Sequence, residues 1–209
     1  ARVLLDEVSA ARIPRADMSA FHARQIRSLN DAALTKQLGE VWGEWREPAA
    51  DKRQLIARLK RQLTPATLAA ADKSQGRALF NTACAACHRL HGEGGQIGPD
   101  LTGAGRDNLD YLLDNIADPS AVVTADFRMT MVDLKDGRVL NGVVVAKTAR
   151  TLTLGSMTGT VTLEHAEIES LQESTLSLMP EGLLEALNEQ QVRDLIAYLM
   201  HPGQVPLPR

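Results

Sequence analysis

The sequence predicts a mainly α-helical protein with a small antiparallel β insert. Three observations carry this. Apolar residues recur at helical spacing through the first 117 residues and again over 188–200. Between 126 and 174 the period shortens to two, around an Asp136-Gly137 step that marks a hairpin. The only two cysteines sit at the end of a predicted helix, in CAACHRLH, residues 84–91.

Composition excludes several classes. The chain has 209 residues, 44% of them apolar, and a net charge of −3. Aromatics make up 3%, so the core is built from Leu, Val, Ala and Ile. No apolar run of about 18 residues exists, which leaves no transmembrane segment. Residues 1–73 carry net +4 and 74–209 net −7. No basic run with interleaved aromatics is present, so nucleic acid is not an expected partner. Two cysteines three apart cannot make a disulfide framework. The chain starts at Ala1 with no visible signal peptide, so it reads as processed or cut from a longer protein.

In order along the chain, residues 1–71 form a helical lead segment with no site of its own. Arg2–Ala10 is a short helix ending before Pro14. Asp17 is a candidate cap for a helix burying Phe21, Ile26 and Leu29. Asn30 or Asp31 starts the next, with Leu34, Leu38, Val41, Trp42 and Trp45 as its stripe and Pro48 as its stop. Ala50–Leu63 repeats the pattern through Leu55, Ile56, Leu59 and Leu63. Thr64-Pro65 is an N-cap followed by proline at the first helical position. Asp72 opens Lys73–Ala83, which places Gly76 and Phe80 on one face. The loop GEGGQIGPDLTGAGR follows, with six glycines and a proline in fifteen residues, a composition suited to wrapping around something. Asn108–Ala117 is helical until Asp118-Pro119.

The β insert spans 126–174. Phe127, Met129 and Met131 alternate with polar residues up to Asp136-Gly137. Val139–Lys147, Thr151–Leu154 and Thr160–Leu163 continue the alternation, and Ile168–Leu171 is a short fifth strand. The helical period returns after SLMPEG. Asn188 is the cap and Gln191 its capping-box partner, ahead of Val192, Leu195, Ile196 and Leu199, with Tyr198 beside them. His201-Pro202-Gly203 ends this helix, and 203–209 is a tail.

CAACH admits three chemistries. A thioredoxin-like redox pair needs its first cysteine at a helix N-terminus beside a parallel-sheet pattern, and neither is present. Zinc would need two of His88, His91, His165 or His201 beside Cys84 and Cys87, but the sequence has one ligand cluster and scattered histidines. Covalent haem needs two thiols for the two vinyl groups and an imidazole directly after the second thiol. CAACH supplies these as Cys84, Cys87 and His88. A proximal imidazole needs an acceptor on its other nitrogen, and the Pro99 carbonyl, approached through Gly98, can provide it. A sixth ligand is advertised at Met179, where Pro180 blocks helix formation. Met129, Met131, Met157, Met200, Met18, a histidine or an open position are the rivals. His91, too near His88 to reach the opposite haem face, is expected at the surface.

These residues resemble a known family. GRALFNTACAACH, IGPDL and MPEGLLEALNEQQVRDLIAYL are similar to a monohaem class I cytochrome c. The resemblance is closer to the haem-binding domain of the Pirellula/Verrucomicrobium type, through SLMPEGLL, the DPS tripeptide at 118–120 and the inserted hairpin. It covers roughly 72–202 and implies a cytochrome c domain over those residues. One haem c is expected on Cys84 and Cys87, with His88 and Met179 as axial ligands. Gly98, Pro99 and Leu101 would border the haem, and Arg106 would approach a propionate. Family members commonly stand at the C-terminus of long secreted dehydrogenase-like proteins. The implied function is electron transfer rather than enzymatic turnover. The implied donor is a redox partner protein or a dehydrogenase domain of a longer parent chain, in the periplasm or another exported location. A peroxidase-like haem enzyme and a haem-based redox or gas sensor are the alternatives. The family places its Met nearer CxxCH; here 91 positions separate His88 from Met179, and the β insert accounts for the excess.

Overall fold

The computed structural model describes residues 1–43, 46–103 and 105–209. Trp45 of the third helical stripe and Ala104 of the glycine-rich loop lie outside the described residues. Among those described, eight α-helices accompany a five-stranded sheet, so the fold is mixed rather than mainly α. The correction comes largely from β7 (Ile168–Ser177), which runs for ten residues. Its second half is polar and gives no apolar alternation to read. Backbone pairing to β3 (Arg128–Leu134) carries it on, from Leu134 opposite Ile168 to Arg128 opposite Ser177.

The chain forms two compact units, each assembled from two separated segments. One contains 1–46 and 122–178; the other contains 47–121 and 179–209. The sequence reading sets its boundary after residue 71. Helices α4 (Ala50–Gln62) and α5 (Pro65–Ala69) nonetheless lie in the unit that holds CAACH. The physical reason is burial: Ile56, Leu59 and Leu63 share one core with Phe80 and Tyr198.

In the first unit, α1 (Arg2–Ser9), α2 (Ala20–Ser28) and α3 (Ala32–Val41) pack together. Ser19, not Asp17, caps α2, and Asp17 lies in a 3-10 turn. Asp31 caps α3 by accepting from the Ala33 and Leu34 amides. Trp42 is buried, and its indole N–H donates to the Met18 carbonyl at 2.5 Å, which satisfies its one polar atom. The sheet runs in the order β6-β5-β4-β3-β7. Strand β4 (Val139–Lys147) changes partner midway. Residues 139–142 pair with β3, and the half from Val143 onward pairs with β5 (Thr151–Ser156). Strand β6 (Gly159–Glu164) completes a hairpin with β5. The change of partner folds the sheet around Val132, Leu134, Leu152, Leu154 and Leu163. Gly137 takes φ +89° at the expected Asp-Gly turn.

The second unit centres on the crossing of α6 (Lys73–Ala83) with α8 (Glu189–Met200). A Cβ on Gly76 would lie 2.1 Å from the Asp194 carbonyl oxygen, so only glycine permits this approach. Phe80 and Tyr198 meet beside it with ring centroids 5.7 Å apart and planes tilted by 59°. Such a pair adds about 1 kcal/mol beyond burial. Asp194 is buried, and its carboxylate accepts the Asp72 amide at 2.9 Å and the Gln190 side-chain amide. Asp72 in turn caps α6 through the Ser74 and Gln75 amides. Helix α7 (Leu109–Ala117) closes the core with Leu112, Leu113 and Ala117. None of the described helices is long and apolar enough to cross a membrane.

Candidate functional site

The site begins where α6 ends. The Cys84 amide donates to the Phe80 carbonyl, and the Cys87 and His88 amides both donate to the Cys84 carbonyl, at 3.1 and 2.9 Å. The two intervening alanines thus close a tight turn. The glycine-rich loop is laced back onto it: Gly95 donates to Ala85, Gly98 to Cys87 and Leu101 to Arg89, at 2.8 to 2.9 Å. A short ladder of β1 (Arg89–Leu90) and β2 (Glu93–Gly94) lies between.

This lacing sets the imidazole. Nδ1 of His88 lies 3.0 Å from the Pro99 carbonyl oxygen. A carbonyl only accepts, so Nδ1 carries the proton and Nε2 keeps its lone pair. A Cβ on Gly98 would stand 2.7 Å from Cε1 of the same ring, so the loop backbone lies directly against the imidazole face. Burial pulls the His88 pKa down, and the hydrogen bond to Pro99 opposes it only in part, which favours the neutral imidazole a metal requires. Burial raises the Cys84 thiol to about 11, with a smaller contribution from Cys87, whose own pKa burial also raises.

These features decide among the three chemistries. A redox-active pair needs a thiol pKa shifted downward, and Cys84 is shifted upward at the C-terminal end of its helix. Among the described residues no group of three or more His, Cys, Asp or Glu is placed to hold a metal ion, so the zinc set is not assembled. Two cysteines in one turn and a neutral imidazole with a free Nε2 fit haem c.

The family model for cytochrome c matches residues 74–132. The chain thus contains a cytochrome c domain, with covalently bound haem c as its cofactor and a haem-binding electron-transfer role. The match takes in α6, CAACH, the GQIGPDL loop and α7, and ends within β3, short of Met179 and α8. No curated protein matches the chain.

In the cytochrome c domain, Leu101 packs half-buried against the core together with Cys84 and Ala85. Met179 is half-buried in the bend that follows β7. Arg106 is buried with its guanidinium on backbone carbonyls. Nε donates to Thr102 at 3.2 Å, Nη1 to Leu199 at 2.8 Å and to His201, and Nη2 to Pro202 at 3.5 Å. It therefore closes the C-terminus of α8, where a cation is favoured, and ties it to the loop carrying Pro99. Arg106→Ala is expected to lower unfolding stability by about 3 kcal/mol, since several buried carbonyls lose their donor. A denaturant titration reads this, and Arg106→Lys should recover part of the loss.

His91 also differs from expectation. It takes φ +51°, its amide donates to the Thr102 hydroxyl, and its ring meets Tyr198 edge-on at 6.4 Å. It is a packing residue of the crossing rather than a surface group. Sequence reasoning missed Asp194 and the partners of Arg106. Asp194 gave one weak signal, a carboxylate set directly beside the Leu195–Ile196 stripe.

Proposed function

We propose that this chain is an electron carrier of the class I-like monohaem type, in the Pirellula/Verrucomicrobium form of the family. Cys84 and Cys87 hold the haem by thioethers, His88 is the proximal ligand through Nε2, and Met179 is the distal ligand. The observation that carries this reading is the His88–Pro99 hydrogen bond, which fixes tautomer and ring together beside both cysteines. The bound haem supplies a one-electron couple, and the protein supplies everything that tunes it. Pro99 raises the donor strength of His88, Gly98 lets the loop lie against the ring, and Leu101 keeps that side apolar. A thioether from Met179 raises the potential relative to a second histidine.

With both axial positions of the iron taken by His88 and Met179, the role is to pass electrons rather than to transform a substrate. The donor is a dehydrogenase domain of a longer parent chain or a separate redox partner, in an exported compartment. The resemblance to that family through SLMPEGLL, the DPS tripeptide and the inserted hairpin supports that placement. The test is Met179→Ala in haem-loaded protein. The oxidised wild type should show the Met-to-iron charge-transfer band, and the variant should lose it. Its reduction potential should fall by roughly 100 mV or more, within the ~0.8 V that axial ligands span. A wild type without the band, turning over peroxide rapidly, would move the reading to a haem enzyme.

A further inference from the structure

The segment that follows Met179 is held by a residue of the lead helices. Lys52 lies on α4, and its Nζ is 3.0 Å from a Glu185 carboxylate oxygen and 3.7 Å from one of Glu181. Its side chain is 13% exposed, against 51% and 39% for the two glutamates. The lysine stem is therefore packed while the carboxylates reach in from solvent. The hydrogen bond to Glu185 raises the lysine's pKa against the opposing effect of burial, so the cation is held firmly. Helix α4 is itself fixed by Ile56 and Leu59 in the same core that receives Leu184.

Residues 179–188 have no regular secondary structure to hold them. Among the described residues, Leu184 is buried in the core with Leu187 partly buried against it, and the pair of carboxylates on Lys52 adds an ionic anchor. Glu181 stands two positions from Met179. Without the cation, the Glu181 and Glu185 carboxylates lose the counter-charge they share and stand near each other as like charges.

We propose that Lys52 is a positioning residue for the distal ligand: its bridge to Glu181 and Glu185 holds the Met179 loop against α4 and so limits departure of the thioether from iron. This rests on the reading of Met179 as the sixth ligand. It also gives α4 a part in the site.

The test uses the full haem-loaded chain with Lys52→Met, which keeps the stem and removes the charge, and Lys52→Arg, which restores it. Added imidazole competes with Met179, and its apparent affinity reports how firmly the loop is held. Lys52→Met should bind imidazole about fivefold more tightly, the scale of a small ion-pair network. Amide exchange over 181–185 should quicken, and Lys52→Arg should return both to wild-type values. The double variant Glu181→Gln, Glu185→Gln should reproduce the effect from the other side, which guards against a Lys52 variant that folds poorly. A Lys52→Met protein with a lower unfolding midpoint but unchanged imidazole affinity overturns the proposal, because the bridge would then be merely structural. A wild type lacking the Met-to-iron band overturns both readings, whereas a wild type with the band and an unresponsive Lys52→Met overturns this one alone.

Discussion

Gly76→Ala is expected to destabilise the cytochrome c domain by about 2 kcal/mol net, read as a lower denaturant midpoint of the haem-loaded protein. Two effects compete. Alanine in a helix interior gains about 1 kcal/mol over glycine by propensity. Against that, the new methyl would stand 2.1 Å from the Asp194 carbonyl oxygen and 2.7 Å from Tyr198 Cβ. Neither atom is the end of a flexible side chain, so α8 must move away from α6 as a body. Overpacking of this kind costs typically 1–3 kcal/mol and sometimes more. Movement would also disturb the Phe80–Tyr198 pair and the Asp194 bond to Asp72. A midpoint that rises would show that propensity wins and that the helices do not meet as closely as described.

The second large effect is expected at Gly98. Gly98→Ala places a methyl 2.7 Å from Cε1 and 2.9 Å from Nδ1 of His88. The ring or the loop must shift, and either loosens the Nδ1 hydrogen bond to Pro99. With His88 as the proposed proximal ligand, that bond would make the imidazole a stronger donor and favour the oxidised iron, so its loss should raise the reduction potential. Loss of such an outer partner typically costs 10–100-fold in metal affinity. Falling on one oxidation state of a one-electron couple, the lower figure corresponds to roughly 60 mV. Gly103→Ala is the control, since a Cβ there meets nothing within 4 Å. Equal potentials in the two variants would remove the imidazole contact as a determinant.

Much of the geometry is legible in the sequence because its signals are local. CAACH announces itself within five residues, and helical spacing alone places Gly76 and Phe80 on one face of the helix before it. The Asp136-Gly137 hairpin needs only a period-two pattern on each side. What the sequence hides is non-local or polar. Arg106 reads as a cation that would approach a haem propionate, and only the return of α8 reveals the carbonyls it serves. The polar run of β7 resembles loop, because edge pairing with β3 rather than apolar burial holds it. Helices α4 and α5 carry ordinary stripes that do not say which core they join. Of these, the length of β7 is what makes the fold mixed rather than mainly α.

The order in which segments enter the two units has a consequence for assembly. Asp72 and Asp194 meet although 122 residues separate them along the chain. Joining the ends of a flexible loop of that length costs about 4 kcal/mol in closure entropy. Residues 122–178 belong to the other unit, and their prior folding would shorten the free loop to roughly half. That recovers only about 0.6 kcal/mol, the increment for one halving of length. The main effect is on timing rather than stability. The α6–α8 contact cannot form until the ribosome has passed the whole β insert and completed α8. Until then the core against which Cys84 and Ala85 pack lacks Leu195, Ile196, Tyr198 and Leu199, so that side of CAACH stays open until the last helix arrives.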